Sequence, residues 1–324
     1  MHPFLEQLLA CPRCGGALQL DTGAQILCCA QNPTDPAHTW PVVRNIPRFV
    51  GSLRSKGAET RTVHAFERQW RRYGGLRRIF GKDPRSMADN LVGARMGARI
   101  DAGWYAGKSV LDAGCGHGRY LRAFASLGAR VVGLDIGRGP EAAGVPLEDP
   151  AIAVVQGSVL EAPFQDASFD LVFSDGVIHH TPNAHAAYLE LARLVKPGGA
   201  LYIWVYPREG RLRELVFGAA RAITTRLPGP VVRWLSFAAA PLTLFVRSYS
   251  GTRLGRATWG ECAQVVHDWI APPLQSHHTW EEVAAWASEA GLGECERLPI
   301  PTGLTAWRPA AADPEGRARS SAGR

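Results

Sequence analysis

A chain of 324 residues has room for a full α/β domain and a smaller module beside it. With 46% apolar and 20% charged residues it reads as an ordinary globular protein, and no stretch reaches the ~18 apolar residues of a bilayer span. No positively charged N-terminal region leads an apolar core, so a cytoplasmic location is expected. The net charge of +7 is unevenly placed: residues 51–100 hold 12 Lys/Arg against 4 Asp/Glu, and residues 207–256 hold 9 Arg against 2 Glu. Such blocks suit RNA, anionic lipid or an acidic substrate, although 4 Lys among 36 basic residues equally suits arginines on solvated faces.

Residues 1–50 form the first module. Four of the seven cysteines lie within residues 11–29, which fits metal binding in a reducing compartment better than disulfides. Cys11-Pro12-Arg13-Cys14 sets two thiolates on one turn, and a hairpin about Asp21–Gly23 carries Cys28-Cys29 toward them. So short a ribbon has little core of its own, and the metal supplies the folding energy. Neighbouring residues seldom both turn into one tetrahedron, so the expected ligands are Cys11, Cys14, Cys28 and His38, with Cys29 as the alternative to Cys28. The module resembles the Trm112-like zinc ribbons that activate methyltransferases or are fused ahead of them, and the Cys3His ribbon of some ribosomal-RNA guanine methyltransferases. That resemblance implies a structural Zn2+. In its closing phrase, WPVVRNIPRFV, Asn45 stands where those ribbons commonly have Gly.

Residues 51–104 read as a linker and N-terminal helices. Thr62–Tyr73 spaces Val63, Phe66, Trp70 and Tyr73 along one helical stripe, and a further helix is expected over 86–103. Strands are expected near 108–113, 130–135, 152–156, 169–174, 200–206, 293–297 and 304–308. The helix after the second is cut short by Gly137, Gly139, Pro140, Gly144 and Pro146.

The stretch Ser109–Gly118, SVLDAGCGHG, joins a buried strand to a helix through Gly114, Gly116 and Gly118. Glycines there let backbone approach a ligand, and helix N-terminal amides face it. The spacing misses the dinucleotide fingerprint, because Arg119 occupies the place of its third glycine. It resembles motif I of class I S-adenosylmethionine-dependent methyltransferases of the small-molecule, "type 11" group. The later FDLVFSD strand and the KPGG turn extend that likeness over residues 105–206. The resemblance implies a Rossmann-like, seven-stranded α/β fold with helices on both faces over 105–308. It also implies S-adenosylmethionine as cofactor, held by Asp112, Gly114, Cys115, Gly116 and Gly118. Asp135 and Ile136 at the next strand end, the Ser158–Val159 edge and Ser174 complete the expected set. Asp135 is placed to accept ribose hydroxyls, and Ser158 stands where the family usually has Asp.

The fourth strand ends in SDGVIHHTPN, which lacks the Asn-Pro-Pro-Tyr sequence of amino-group methylases. His180, or else His179, is the candidate general base, because a near-neutral pKa suits deprotonating a hydroxyl. Tyr206 is expected to line the substrate pocket. A helical insertion over about 210–275 follows, with helices expected at Arg211–Arg226 and Val231–Arg247. It reads as a lid, with peripheral membrane contact through 231–246 or a dimer surface as alternatives. His267, Asp268, His277 and His278 gather before a helix Trp280–Ala290 that opens on the capping box Thr279/Glu282. Of these, His277 and His278 are the expected substrate contacts. Residues 309–324 read as a disordered tail. The function expected is methyl transfer to an oxygen, less readily nitrogen or carbon, of a small and lipophilic metabolite. The rivals are an RNA methyltransferase gripping phosphates with the ribbon and arginines, and a non-catalytic partner-binding module.

Overall fold

The computed structural model describes residues 1–50, 57–73, 84–89, 91–142, 144–208, 210–241 and 259–311. The short helix α1 (Pro3–Glu6) leads into a four-stranded antiparallel sheet of β1 (Leu18–Asp21), β2 (Ile26–Cys29), β3 (Thr39–Val43) and β4 (Ile46–Pro47). Arg44 and Asn45 both take left-handed φ, 53° and 62°, so the turn between β3 and β4 has the twist a two-residue hairpin needs. Asn tolerates that conformation, which is why the missing glycine does no damage.

The ribbon is not a separate bead. Its buried Leu5, Leu9, Leu27, Trp40 and Val42 share one core with Val159, Phe164 and Tyr188 of the larger domain. Arg48, 8% exposed, donates to Gln156 at 2.8 Å and to Glu141 at 2.7 Å. Gln156 in turn donates to the Ile136 carbonyl at 3.0 Å.

Helix α2 (Ala58–Tyr73) matches the expected amphipathic stretch; the side chains of residues 70–73 lie outside the described set, as do residues 51–56. The single helix expected over 86–103 does not form. There the chain makes α3 (Pro84–Asp89) and two 3-10 turns, Gly93–Arg95 and Gly103–Tyr105, because Gly93 and Gly97 sit at φ 66° and 98°.

The large sheet holds β5 (Ser109–Ala113), β6 (Arg130–Asp135), β7 (Ile152–Gln156), β8 (Phe169–Asp175), β9 (Val195–Trp204), β10 (Cys295–Arg297) and β11 (Leu304–Trp307). Their order is β10-β11-β9-β8-β5-β6-β7, with β11 antiparallel to both neighbours and the other pairs parallel. This is the Rossmann-like α/β fold expected. The strand order reverses between β5 and β8, where open α/β sheets bind ligands outside the strand ends. β9 starts earlier than expected: Val195 already pairs with Phe169, and the register then jumps so that Ala200 faces Leu171, leaving Lys196–Gly199 as the irregular run.

Helices α4 (Arg119–Ser126) and α5 (Gly139–Ala142) follow β5 and β6, and α6 (Ala184–Arg193) follows β8. The insertion contributes α7 (Arg211–Thr224), α8 (Gly229–Ala239) and α9 (Trp259–Ile270); the expected continuation of α8 to residue 247 lies outside the described residues, as do 312–324 of the tail. Helix α10 (Trp280–Glu289) opens on the expected capping box, Thr279 Oγ1 accepting from Glu282 N at 3.2 Å and Glu282 Oε2 from Thr279 N at 3.0 Å. Replacing Thr279 by Ala is expected to lower stability by about 1 kcal/mol, read from urea unfolding with an unchanged m-value.

Candidate active site

The loop after β5 is built by conformations that only glycine takes without strain: φ is 85°, 56° and 76° at Gly114, Gly116 and Gly118. A Cβ on Gly114 would overlap the methyls of Val177, so the loop is packed against the turn that follows β8. Asp135 holds two loops at once. Its Oδ2 accepts from Gly116 N and its Oδ1 from Gly137 N, each at 2.8 Å. Burial pushes its carboxyl up to about 6 despite those two bonds. Asp112 is 2% exposed, its Oδ2 has no partner among the described residues, and burial lifts its carboxyl well above the ordinary range against the pull of Arg119. A loop with glycine at every second position, an orphaned acid at one end and a paired acid at the other fits a ligand with a cationic group at one end and hydroxyls at the other.

The other expected cofactor residues divide into lining and scaffold. Ser158 Oγ accepts from Leu160 N at 3.1 Å and shapes the turn where Val159 is buried. The backbone amide of Cys115 bonds the Leu134 carbonyl at 3.0 Å, and its thiol is buried. Ile136 offers its carbonyl to Gln156. Ser174 is 1% exposed and donates to the Ala113 carbonyl at 3.0 Å, tying the ends of β8 and β5 together.

An ionic cluster beside the loop was not read from the sequence. Asp175, closing β8, accepts from Tyr120 Oη at 2.7 Å, Tyr202 Oη at 3.1 Å, Arg95 Nη2 at 3.2 Å and Arg119 Nη2 at 3.4 Å. Burial alone would raise its carboxyl; Arg95, Arg119 and the tyrosine hydroxyls hold it below the ordinary range. The visible signal was an acid at a strand's carboxyl end. Its partners at 95 and 119 are brought there only by the fold.

His179 and His180 follow in a 3-10 turn, Ile178–His180, and both are buried. The His179 ring lies 4.0 Å from that of Tyr206 and 4.2 Å from that of His180, and neither nitrogen has a partner among the described residues. His180 Nδ1 lies 2.9 Å from the Leu274 carbonyl, so Nδ1 carries the proton and Nε2 the lone pair. Phe66 of α2 packs edge-on to His180 at 4.9 Å. The near-neutral titration expected of these histidines is corrected: burial takes His180 down to about 4 and holds His179 well below its ordinary value, so both are neutral at physiological pH. Tyr206, 7% exposed, joins the same aromatic group. His278 bonds Ser276 Oγ at 2.8 Å and His277 Nε2 meets Gln275 Nε2 at 3.2 Å, so this pair sits in a polar network against Tyr206.

In the ribbon, Cys11, Cys14, Cys29 and His38 each bring one donor atom within 4.8 Å of all the others. Cys11 Sγ lies 3.3 Å from His38 Nδ1, and Cys14 Sγ 3.4 Å from Cys29 Sγ; a tetrahedral zinc site has ligand separations of about 3.8 Å. The cluster takes in Cys29, the expected alternative, and leaves out Cys28. Successive side chains of a strand point to opposite faces, and in β2 it is Cys29, fully buried, that faces Cys14 while Cys28 points away. Three sulfurs and an imidazole are a fitting zinc donor set.

Residues 111–203 match the family described as a methyltransferase domain. This segment is similar to methyltransferase domains. An uncharacterized methyltransferase of Mycobacterium leprae is 36% identical over 125 residues, 36% of this chain and 46% of that protein. A sterol 24-C-methyltransferase of Gibberella zeae is 37% identical over 111 residues, 31% of this chain and 28% of that protein. The chain thus spans about half the length of the first of these relatives and less of the second. Among solved structures, the Burkholderia thailandensis 1,6-didemethyltoxoflavin-N1-methyltransferase aligns with a TM-score of 0.44 at 18% identity, covering 85% of this chain and 97% of that one.

The matched region is roofed by elements outside it. Gln69 of α2 donates to Asp268 Oδ1 of α9 at 2.8 Å, and Asp268 lies close enough to feel the Arg119 charge at the head of α4. Burial pushes the Asp268 carboxyl up to about 7, with the Gln69 bond and Arg119 opposing. A folded-state pKa above the ordinary 3.8 means the native chain binds the extra proton, so this residue costs stability as pH rises from about 4 through 7. Asp268→Asn is therefore expected to raise the thermal midpoint at pH 8 and leave it unchanged at pH 4, measured by scanning calorimetry.

Proposed function

We propose that this domain uses S-adenosylmethionine to methylate a hydroxyl oxygen of a small, lipophilic acceptor. The observation that carries the reading is the glycine-rich loop Gly114–Gly118 clasped by Asp135 within the matched region. Asp112 with its open oxygen suits the cofactor's ammonium end, and Asp135 and Ser158–Val159 its nucleoside end. When bound, the cofactor supplies a sulfonium-activated methyl group. The chain's part is to position an acceptor oxygen in line and to receive its proton. His180 Nε2 is the assigned proton acceptor: it is neutral at physiological pH, and Nδ1 is fixed by Leu274. The acceptor's hydroxyl proton would pass to Nε2 as its oxygen takes up the methyl group that the cofactor would supply. His179 and Tyr206 support the ring, and His277 and His278 stand at the acceptor side.

The lipophilic acceptor is supported by the aromatic wall of Phe66, Trp204 and Tyr206 and by a relative named for sterol methylation. We read residues 1–50 as a Trm112-like ribbon with structural Zn2+ on Cys11, Cys14, Cys29 and His38, serving the domain in cis, with 105–308 as the catalytic unit.

An alkyne-bearing analogue of S-adenosylmethionine added with the protein to cell extract tests the reading. Label is expected in organic-extractable small molecules, unchanged by ribonuclease, with His180→Ala slowing transfer at least about 100-fold while cofactor binding persists. Label on RNA that ribonuclease removes would support the RNA reading instead; cofactor binding without label would support a non-catalytic module. Calorimetry should show affinity for the cofactor falling as pH drops through about 6, since protonated Asp135 loses acceptor capacity, and falling about tenfold or more in Asp135→Asn. Zinc content separates the two neighbouring thiols: Cys29→Ser is expected to lose the metal and melt early, while Cys28→Ser keeps about one zinc per chain.

A further inference from the structure

We propose that the outer face of α7 and α8 is a docking surface for an anionic lipid bilayer. This inference deepens the lipophilic-acceptor reading and rests on it for its purpose, though not for its test. Both helices carry apolar side chains outward as well as inward, unlike an ordinary surface helix. The inner faces carry Thr224, Val232 and Ser236 into the protein, while Leu215, Val216 and Ile223 of α7 and Val231, Trp234 and Phe237 of α8 point out. Leu215 is 70% exposed and Trp234 69%. Of the exposed large apolar side chains among the described residues, all but Val43 and Trp259 belong to α7, α8 and the turn joining them, and Trp259 packs on Phe237 at 5.8 Å. An outward apolar stripe on two adjoining helices is far more than scattered surface hydrophobicity.

Charge chooses the occupant. Residues 211–259 contain 8 Arg and a single acid, Glu214, and Arg226 and Arg233 are exposed within the apolar face. Two copies packed through this face would bring arginines together with no acid on either helix's outer side to meet them. Anionic headgroups neutralise them, while arginine stems and Trp234 sit at the boundary between headgroup and acyl chain. No helix among the described residues is long and apolar enough to cross a membrane, so the element lies on the bilayer. The same insertion packs Val232, Val266 and Trp269 against Tyr206 on its inner side, and α9 extends Asp268 toward Gln69 and Arg119. One face thus meets lipid while the other meets the active cleft.

The test is co-sedimentation of the full chain with vesicles of phosphatidylcholine alone and of phosphatidylcholine with phosphatidylglycerol. Binding is expected to be about tenfold or more stronger to the anionic vesicles and to weaken with salt. The W234E/F237E double variant should lose it by at least about tenfold while binding S-adenosylhomocysteine as the parent does. In the parent protein, lipids brominated near the headgroup should quench tryptophan fluorescence, a readout that needs no variant. The proposal is overturned if anionic vesicles neither sediment nor quench the protein. It is equally overturned if the double variant binds unchanged, or if the parent is a dimer that W234E/F237E converts to monomer. Loss of cofactor binding in the parent would strike the methyltransferase reading and leave the vesicle result standing.

Discussion

The Asp135 carboxylate, with one oxygen on each of two backbone amides, is the bond on which the cleft depends. Gly116 belongs to the loop after β5 and Gly137 to the loop after β6, so one side chain fixes both strand ends relative to each other. Both loops are rich in glycine, and glycines are the costliest residues to order. The clamp offsets that cost. It uses one acceptor site on each oxygen and leaves further acceptor capacity on both.

Much of this was legible in the chain. Strands β5 to β8 and β11 are continuous apolar runs bounded by Gly or Asp, and their limits agree with the structure within a residue or two. The capping box at Thr279/Glu282 and the shortened helix after β6 are local chemistry and were readable as such. What failed was non-local. Arg95 joins Asp175 across 80 residues of chain, and Gln69 meets Asp268 across 199; no spacing rule links such pairs. The helix expected over 86–103 failed because glycine backbone geometry outweighed an apolar period. Cys28 and Cys29 lie on two faces of one strand, and only the fold shows which face the other thiols occupy.

The histidines show how burial alters a reading based on residue type. A near-neutral pKa belongs to imidazole in water. Enclosed by Phe66, Tyr206, Trp204 and each other, these rings favour the uncharged form. What they lose in basicity they gain in being constantly unprotonated, and the Leu274 carbonyl decides which nitrogen holds the lone pair. Asp268, under the same roof, is driven toward its neutral form too, so the interior of the cleft is short of charge except where arginines balance Asp175.

The N-terminal ribbon ends where the large sheet ends. Arg48 pairs in parallel with Gln156, the last residue of β7, and Phe49 N bonds the Gln156 carbonyl at 2.8 Å. β7 is the outermost strand on that side, and an uncovered border strand is a template for pairing with other extended chains. The ribbon therefore acts as a selvedge, finishing one margin of the weave. Its unravelling would be felt first as stickiness between molecules, before any fault in the chemistry further in.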